Sequence, residues 1–282
     1  MTTKPANWRT VPSKTLPTPR RGHLLLYAKE RKQFMLFGGV NPDPGAGNLR
    51  QLWTATENDW QSREFNAAPP GLSFMAAAQD ETRNSTVVFG GLDGPAYSQA
   101  TWLYDGAAWT QAAPASAPPA RAYACMAYDP KHGNMALFGG ASNAGTFSDA
   151  LNDTWLWDGE NWKGQSPAQS PTPRVGAGML YHPGLAGVIL FGGGNSFEFN
   201  NDLWLWDGAN WKEIHSKHAP PGRIHFGMAY DAKHQQVVLF GGYSADGNLN
   251  DTWLWDGDDW SQLATPNSPS LAAGIYPALA YD

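Results

Sequence analysis

The stretch Gln236-Val-Val-Leu-Phe-Gly-Gly242 is followed, after an eight-residue loop, by Asp251-Thr-Trp-Leu-Trp-Asp-Gly257 and then by Trp260. Its Phe-Gly-Gly element occurs five times, and the second glycines of these elements are spaced 52, 49, 53 and 49 residues apart. The five copies are Phe37-Gly38-Gly39, Phe89-Gly90-Gly91, Phe138-Gly139-Gly140, Phe191-Gly192-Gly193 and Phe240-Gly241-Gly242. A period near fifty residues indicates an array of similar units that pack on one another, because a single unit cannot bury both of its faces alone.

Each unit divides into four strand-sized pieces, best seen in the last copy. The first is an apolar run that starts at Arg223 and ends in Tyr230-Asp231, and the second runs into Phe-Gly-Gly. Short, continuous apolar runs bounded by turns are typical of strands that are buried on both faces. The third piece places Trp253 and Trp255 on one face, and an Asp-Gly turn leads to a fourth piece that opens with Trp260.

The Phe-Gly-Gly element, the Trp-x-Trp/Tyr-Asp strand and the later tryptophan together resemble the Kelch repeat, and the resemblance covers almost the whole chain. It implies an all-β fold, a Kelch-type β-propeller of four-stranded blades. Proteins of this family range from protein-binding adaptors to sugar mutarotases and oxidases, so the resemblance does not choose a function. The first copy departs from the pattern, because the stretch from Gln51 to Trp60 lacks the second aromatic residue and the Asp-Gly turn.

The composition agrees with many short strands joined by turns. The 282 residues include 31 Gly, 22 Pro and 14 Trp, and only 16% of them are charged. The net charge of −6 disfavours a nucleic-acid partner, since phosphate binding needs a basic surface. No apolar run reaches the length of a membrane span and no secretion signal is visible, so we expect no membrane partner and a cytoplasmic location by default. The single cysteine, Cys125, excludes an internal disulfide.

The repeats predict one domain over residues 1–282 with five complete units and a partial sixth. The five units span residues 20–60, 72–109, 121–162, 174–211 and 223–260. Residues 274–282 match a first strand, and residues 7–11 match a fourth strand through Asn7-Trp8. The expected closing blade is therefore incomplete. Three accounts fit this pattern: a piece of a longer chain, which we favour; strands supplied by a partner or a second copy; and a ring of five blades.

Candidate binding residues occupy two repeated positions at the start of the first strand. The residue eight before the Tyr-Asp aspartate is Arg20, Arg121, Arg174 or Arg223 in four copies, with Leu72 and Gly274 in the other two. Two residues further on come Gly22, Phe74, Tyr123, Gly176, His225 and Tyr276. Strand alternation predicts that both sets point the same way and form an anion-tolerant pocket for an acidic peptide or a sugar acid. The competing interpretation is that the arginines tie the blades together by bonding carbonyl groups.

The loops after Phe-Gly-Gly are further candidates, because variable loops on a rigid scaffold carry recognition. The longest are Val40–Arg50 and Ala141–Asn152, of which the second contains Phe147. The fourth copy has Phe197 and Phe199 in its loop. These aromatic residues either contact a ligand or cover a blade. The histidines and acidic residues show no pattern of metal ligands, so we expect no metal, no cofactor and no catalytic set.

These patterns favour a non-catalytic binding module that presents its channel mouth to a protein segment or a carbohydrate. One alternative is a sugar mutarotase or epimerase in which Arg223 and His225 handle a sugar acid, because such a reaction needs only acid–base help. A second alternative is a truncated repeat domain of a larger protein without activity of its own. An open closing blade would also make self-association through its strand edges plausible.

Overall fold

The computed structural model describes residues 7–43, 45–56, 59–142, 147–269 and 276–282. It contains five four-stranded antiparallel sheets, which are the blades of a β-propeller. In every blade the strands lie side by side in chain order, and the chain runs from an inner first strand to an outer fourth strand. The inner strands of blades 1 to 5 contact one another in sequence. The expected all-β propeller and its five complete repeats are confirmed.

The strand bounds follow the repeat closely. Blade 1 contains β1 (Leu24–Ala28), β2 (Gln33–Phe37), β3 (Leu52–Thr56) and β4 (Asp59–Arg63). Blade 2 contains β5 (Ala76–Asp80), β6 (Ser85–Phe89), β9 (Thr101–Tyr104) and β10 (Trp109–Gln111), with the small hairpin β7 (Leu92–Asp93) and β8 (Ala96–Tyr97) in its loop. Blade 3 contains β11 (Cys125–Asp129), β12 (Asn134–Phe138), β13 (Thr154–Trp157) and β14 (Trp162–Gly164). Blade 4 contains β15 (Gly178–His182), β16 (Gly187–Phe191), β17 (Leu203–Trp206) and β18 (Trp211–Ile214). Blade 5 contains β19 (Gly227–Asp231), β20 (Gln236–Ser244), β21 (Gly247–Trp255) and β22 (Trp260–Leu263). Short 3₁₀ turns occupy Lys29–Arg31, Phe147–Asp149 and Pro183–Leu185.

The hydrophobic core lies between successive blades. Four apolar clusters fill the spaces between blades 1 and 2, 2 and 3, 3 and 4, and 4 and 5. Each cluster draws alternate residues from facing sheets; Phe89 of blade 2, for example, packs on Trp162 of blade 3 with 5.0 Å between ring centroids. Blades 2, 3 and 4 thus pack their two faces on different neighbours, which explains why their second strands, β6, β12 and β16, are apolar and buried along almost their whole length.

The double glycine joins each blade to the next. Gly139 and Gly140 both have positive φ, and a Cβ added to Gly139 would lie 2.7 Å from the carbonyl oxygen of Arg174 in the next blade. The Gly140 N–H donates to that same oxygen at 3.0 Å. Only glycine permits both the backbone conformation and the close approach. The Phe-Gly-Gly element is therefore a link between blades.

The two chain ends lie beside blade 5. Trp8 packs on Phe240 at 4.8 Å between ring centroids and donates its indole N–H to Thr252 Oγ1 at 3.0 Å. The fourth-strand Trp162 makes the equivalent bond to Thr101 of the preceding blade. Leu279 lies against Gly227 of β19.

The other side of the C-terminal segment reaches blade 1. Asp282 lies close enough to Tyr27 of β1 to raise the pKa of that phenol, so residues 276–282 lie between the inner strands of blades 5 and 1. Within the described residues no strand is assigned to 7–11 or 276–282, and residues 274–275 lie outside the described residues. The incomplete sixth blade is not confirmed and stays a prediction.

Candidate functional site

Six left-handed backbone positions surround the mouth of the central channel. They are Gly22, Phe74, Tyr123, Gly176, His225 and Tyr276, with φ between +56° and +75°. Backbone hydrogen bonds link the first five of them from blade to blade: Phe74 N–H donates to Gly22 O at 2.7 Å, and the same bond recurs up to His225 N–H, which donates to Gly176 O at 3.0 Å. Left-handed φ is uncommon outside glycine and is tolerated only where the surroundings enforce it. Here these hydrogen bonds supply that enforcement from Gly22 to His225 and turn the side chains of Phe74, Tyr123 and His225 toward the cavity.

The side chains from these positions meet in one aromatic cluster. Phe74 lies 4.5 Å from Tyr123, and His225 lies 4.4 Å from Tyr276, measured between ring centroids. Phe74 also contacts Tyr276 at 5.2 Å, which joins the two pairs. Phe147 from the blade 3 loop adds an edge contact to Tyr123 at 5.3 Å. These five residues are called the mouth cluster, and each of them is half-buried.

The two glycines among the six left-handed positions make room for the side chains of the mouth cluster. A Cβ on Gly22 would lie 2.5 Å from the ring of Phe74, and a Cβ on Gly176 would lie 2.8 Å from Nδ1 of His225. Blades 1 and 4 therefore contribute space, while blades 2, 3 and 5 contribute rings. The mouth departs from the repeat symmetry at these positions, which is what recognition of an asymmetric ligand requires.

A cavity of about 150 Å³ opens among these residues. Two imidazole nitrogens at the cavity, His225 Nε2 and His23 Nδ1, are buried and have no hydrogen-bond partner among the described residues. Burial lowers the pKa of His225 to about 3. Burial and the charge of Arg20 lower the pKa of His23 to about 4. Both imidazoles are therefore neutral at pH 7, and each can offer a hydrogen bond without a charge.

The mouth also contains phenol groups that keep their protons. Burial raises the pKa of Tyr123 to about 12, and burial likewise raises the pKa of Tyr276. The positive charge of exposed Arg21 partly offsets this rise in the pKa of both tyrosines, so this charge lies near the two rings. The mouth thus combines apolar faces, neutral hydrogen-bonding groups and the nearby positive charges of Arg20 and Arg21.

The predicted arginines lie away from the mouth cluster. Arg121, Arg174 and Arg223 are at most 1% exposed. Each donates to both oxygens of a carboxylate, on Asp153, Asp202 and Asp251 respectively, at 2.6 to 2.9 Å. Each also donates to the carbonyl of the first glycine in its own Phe-Gly-Gly element. These contacts support the interpretation in which the arginines hold the structure together.

The expectation that arginines and aromatic residues share one direction is wrong. Strand alternation assumes extended backbone between the two positions, but the left-handed φ at the second position breaks the alternation. Arg174, for example, turns back to Asp202, whereas Gly176 two residues later lines the cavity. A sugar acid bound by Arg223 would have to displace Asp251 from a buried bidentate pair.

The aspartates in these pairs were not identified from the sequence. Asp153, Asp202 and Asp251 each precede the third-strand tryptophan by two residues, and their Oδ2 atom also accepts the indole N–H of that tryptophan at 2.6 to 2.7 Å. A signal was present in the chain itself. The copy with Leu72 in place of arginine has Ala100 in place of the aspartate, so the two residues are absent together.

The remaining candidates separate clearly. Arg20 is half-buried, and donates to Gly38 O at 3.1 Å without a carboxylate partner in the part of the chain that the structure describes. Phe197 is 87% exposed, whereas Phe199 packs on Tyr243 with 5.8 Å between centroids. Leu72 is fully buried, and Gly274 lies outside the described residues.

Among the described residues, no three His, Cys, Asp or Glu side chains come together in a group that could hold a metal ion. The described residues also contain no helix long and apolar enough to cross a membrane.

Comparison with known proteins agrees with the geometry. The family model described as the KLHDC2/KLHL20/DRC7 Kelch-repeats domain matches residues 1–163, which is more than half of the chain. A search of curated proteins gave no significant match.

Proposed function

Because the chain belongs to the Kelch-repeat family, whose propellers generally bind protein partners, we propose that it is a non-catalytic module that binds a segment of a partner protein at the mouth cluster. The observation that carries this proposal is the convergence of four half-buried rings, those of Phe74, Tyr123, His225 and Tyr276, on a cavity where His225 Nε2 has no partner among the described residues. Aromatic residues at the centre of a contact surface supply much of the binding energy in protein interfaces.

The size of the cavity favours a single side chain of a protein segment. Its volume of about 150 Å³ corresponds to roughly five water molecules, whereas sites for drug-sized ligands measure about 300–1,000 Å³. An apolar side chain would pack against the rings of Phe74 and Tyr123, which already contact each other. A backbone or side-chain polar group of the same segment would hydrogen-bond His225 Nε2, which otherwise stays buried without a partner, at a cost of about 1–3 kcal/mol.

The proposal can be tested with selected peptides. Peptides are selected from a random phage-displayed library on the whole protein, synthesised, and titrated by calorimetry. We expect Tyr123→Ala to weaken binding at least tenfold, because it removes a ring that contacts Phe74, Phe147 and His225. His225→Phe keeps a ring and removes the buried nitrogen, so we expect a smaller loss of about fivefold to tenfold.

The control variant is Phe197→Ala, which removes an aromatic ring that is 87% exposed outside the mouth cluster. It should leave the affinity unchanged, and circular dichroism of each variant should show the same fold as the wild type. Monosaccharides and sugar acids are titrated in parallel. Peptides that bind Tyr123→Ala as tightly as the wild type, or sugars that bind where no peptide does, would overturn the proposal.

A further inference from the structure

Blade 1 keeps two members of a three-residue hydrogen-bond group and lacks the third. In blades 3, 4 and 5 the group consists of an arginine, an aspartate and a tryptophan, as in Arg174, Asp202 and Trp204. Blade 1 has Arg20 and a tryptophan, Trp53, at the equivalent positions, but Gln51 stands where the aspartate is expected. The missing member is therefore the only negatively charged residue of the group.

In the complete groups two donors converge on one oxygen. In blade 4 the Nη2 atom of Arg174 lies 2.9 Å from Asp202 Oδ2, and the indole Nε1 of Trp204 lies 2.6 Å from the same atom. Blades 3 and 5 repeat this arrangement with distances of 2.7 to 2.9 Å. In three blades of this chain, a carboxylate oxygen thus occupies the position between these two donors.

Arg20 has the same conformation as its counterparts. Its Nε donates to Thr18 O at 2.9 Å and its Nη1 donates to Gly38 O at 3.1 Å, as the equivalent atoms do in blades 3 to 5. Its Nη2 atom and the Nε1 atom of Trp53 are both buried and have no hydrogen-bond partner among the described residues. Trp53 itself is only 8% exposed. These two atoms are called the blade 1 donor pair.

Gln51 does not complete the group. Its side chain makes no hydrogen bond to a residue that the structure describes, and as a neutral amide it cannot balance the charge of Arg20. Burial lowers the pKa of Arg20 to about 10, so the guanidinium remains charged at neutral pH although it is partly removed from water. Unpaired buried donors destabilise the folded protein by about 1–3 kcal/mol each, and by more when charged. Binding of an anionic acceptor would remove this penalty.

The position of the missing carboxylate lies near the protein surface. The equivalent carboxylates in blades 3, 4 and 5 have side chains that are 37%, 23% and 15% exposed, so this part of these blades borders on water. Two exposed arginines, Arg21 and Arg50, are sequence neighbours of Arg20 and Gln51, and neither forms an ion pair within the described residues. Their charges would attract an anion toward the donor pair.

We infer that the blade 1 donor pair binds a carboxylate, supplied either by an acidic side chain of a partner or by a small carboxylic acid. One carboxylate oxygen accepts from Arg20 Nη2 and Trp53 Nε1, and the side chain of Gln51 moves aside. This site is separate from the mouth cluster and does not depend on the function proposed for it.

Sodium acetate is the first probe. The indole N–H signal of Trp53 is followed by ¹H–¹⁵N NMR in the whole protein, and Trp53→Phe identifies that signal. Acetate should shift it downfield in a saturable manner, because a carboxylate oxygen becomes the acceptor for the indole N–H. Sodium chloride at the same ionic strength should have a much smaller effect. A Trp53 signal that does not respond to acetate or to the acidic peptide described below would overturn the inference.

Gln51→Asp is the decisive variant, because it supplies the carboxylate from the chain itself. We expect the Trp53 signal to be shifted already in the absence of acetate. The affinity for acetate should fall at least tenfold. This variant should be at least as stable as the wild type, so a lost response cannot come from unfolding. An unchanged response to acetate in Gln51→Asp would contradict the assignment of the site.

A blocked Gly-Glu-Gly peptide distinguishes the two sources of the carboxylate. Binding of the peptide at least as tight as that of acetate would indicate an acidic side chain of a partner. Binding of acetate without the peptide would indicate a small carboxylic acid. Tyr123→Ala should leave both responses unchanged, and so separates this site from the mouth cluster.

Discussion

Blades 3 to 5 and blades 1 and 2 share one backbone plan but differ in the residue ahead of the first strand and in its partner. In blades 3 to 5 a fully buried arginine is held by a carboxylate, a glycine carbonyl and the backbone two residues before it. In blade 2 a fully buried leucine, Leu72, takes its place, and Ala100 replaces the aspartate. Blade 1 retains Arg20, but no carboxylate of the described residues pairs with it, and Gln51 stands at the aspartate position.

The difference shows that the fold does not need the ion pair. Blade 2 forms the same four strands with an apolar residue at that position. This agrees with the general finding that a buried ion pair can be replaced by apolar residues, whereas loss of one partner alone is costly. Where both are present, the arginine and the aspartate depend on each other for stability. Blade 1 has the arginine, Arg20, with Gln51 in place of the aspartate.

The largest effect is expected when one partner of a complete pair is removed. Asp202→Ala leaves Arg174 fully buried without its counter-ion and leaves the Trp204 indole without its acceptor. We expect the free energy of unfolding to fall by about 3 kcal/mol, the lower end of the range for broken buried pairs, because Asp202 is partly exposed. Urea unfolding measures this change. A loss below about 1 kcal/mol would show that the pair contributes little.

A smaller effect is expected when the pair is built into blade 2. Leu72→Arg alone introduces a buried charge, and Ala100→Asp alone introduces a carboxylate without its arginine. The double variant should recover about 2 kcal/mol relative to the sum of the single changes, and Trp102 Nε1, now unpartnered among the described residues, would gain an acceptor. A double-mutant cycle in urea measures this coupling free energy. Additive single effects would show that blade 2 cannot accommodate the pair.

Acid should weaken the complete pairs. Burial pushes the pKa of Asp202 upward, but the hydrogen bonds and charge of Arg174 and the bond from Trp204 outweigh burial and hold this pKa below its usual value. A carboxyl whose pKa is lowered by folding stabilises the protein above its unfolded pKa of about 3.9, and this contribution is lost as the pH falls through the lower, folded value.

The stability difference between wild type and Asp202→Asn should therefore shrink as the pH falls from 5 to 3. Urea midpoints measured across this range provide the test. A difference that stays constant down to pH 3 would show that the ionised carboxylate is not what holds Arg174.

The repeat made most of the fold predictable. The spacing of Phe-Gly-Gly and the tryptophans gave the five blades and their strands, because glycine and indole meet the same packing demand in every copy. The closing region was less predictable. Trp8 makes the contacts of a fourth-strand tryptophan, yet residues 7–11 form no strand, since a strand needs a paired neighbour and the repeat pattern does not supply one there.

The candidate site was predictable in its residues but not in its geometry. Phe74, Tyr123, His225 and Tyr276 were identified by their repeated position, and they do come together. Their binding role stays a prediction. The left-handed backbone that separates them from the arginines could not be inferred, because non-glycine residues adopt it only when hydrogen bonds between blades enforce it.

The smallest effect is expected in blade 1. Gln51→Ala is the counterpart of Asp202→Ala, at the equivalent position of a group that lacks its carboxylate. Gln51 makes no side-chain hydrogen bond to a described residue, and Arg20 keeps its bonds to Thr18 and Gly38, so we expect the free energy of unfolding to change by no more than about 0.5 kcal/mol. The same urea titration used for Asp202→Ala measures it. A loss above about 1 kcal/mol would mean that Gln51 already serves as acceptor for Arg20 or Trp53. In that case blade 1 would be a weaker version of blades 3 to 5, and the donor pair would not be free to bind a carboxylate.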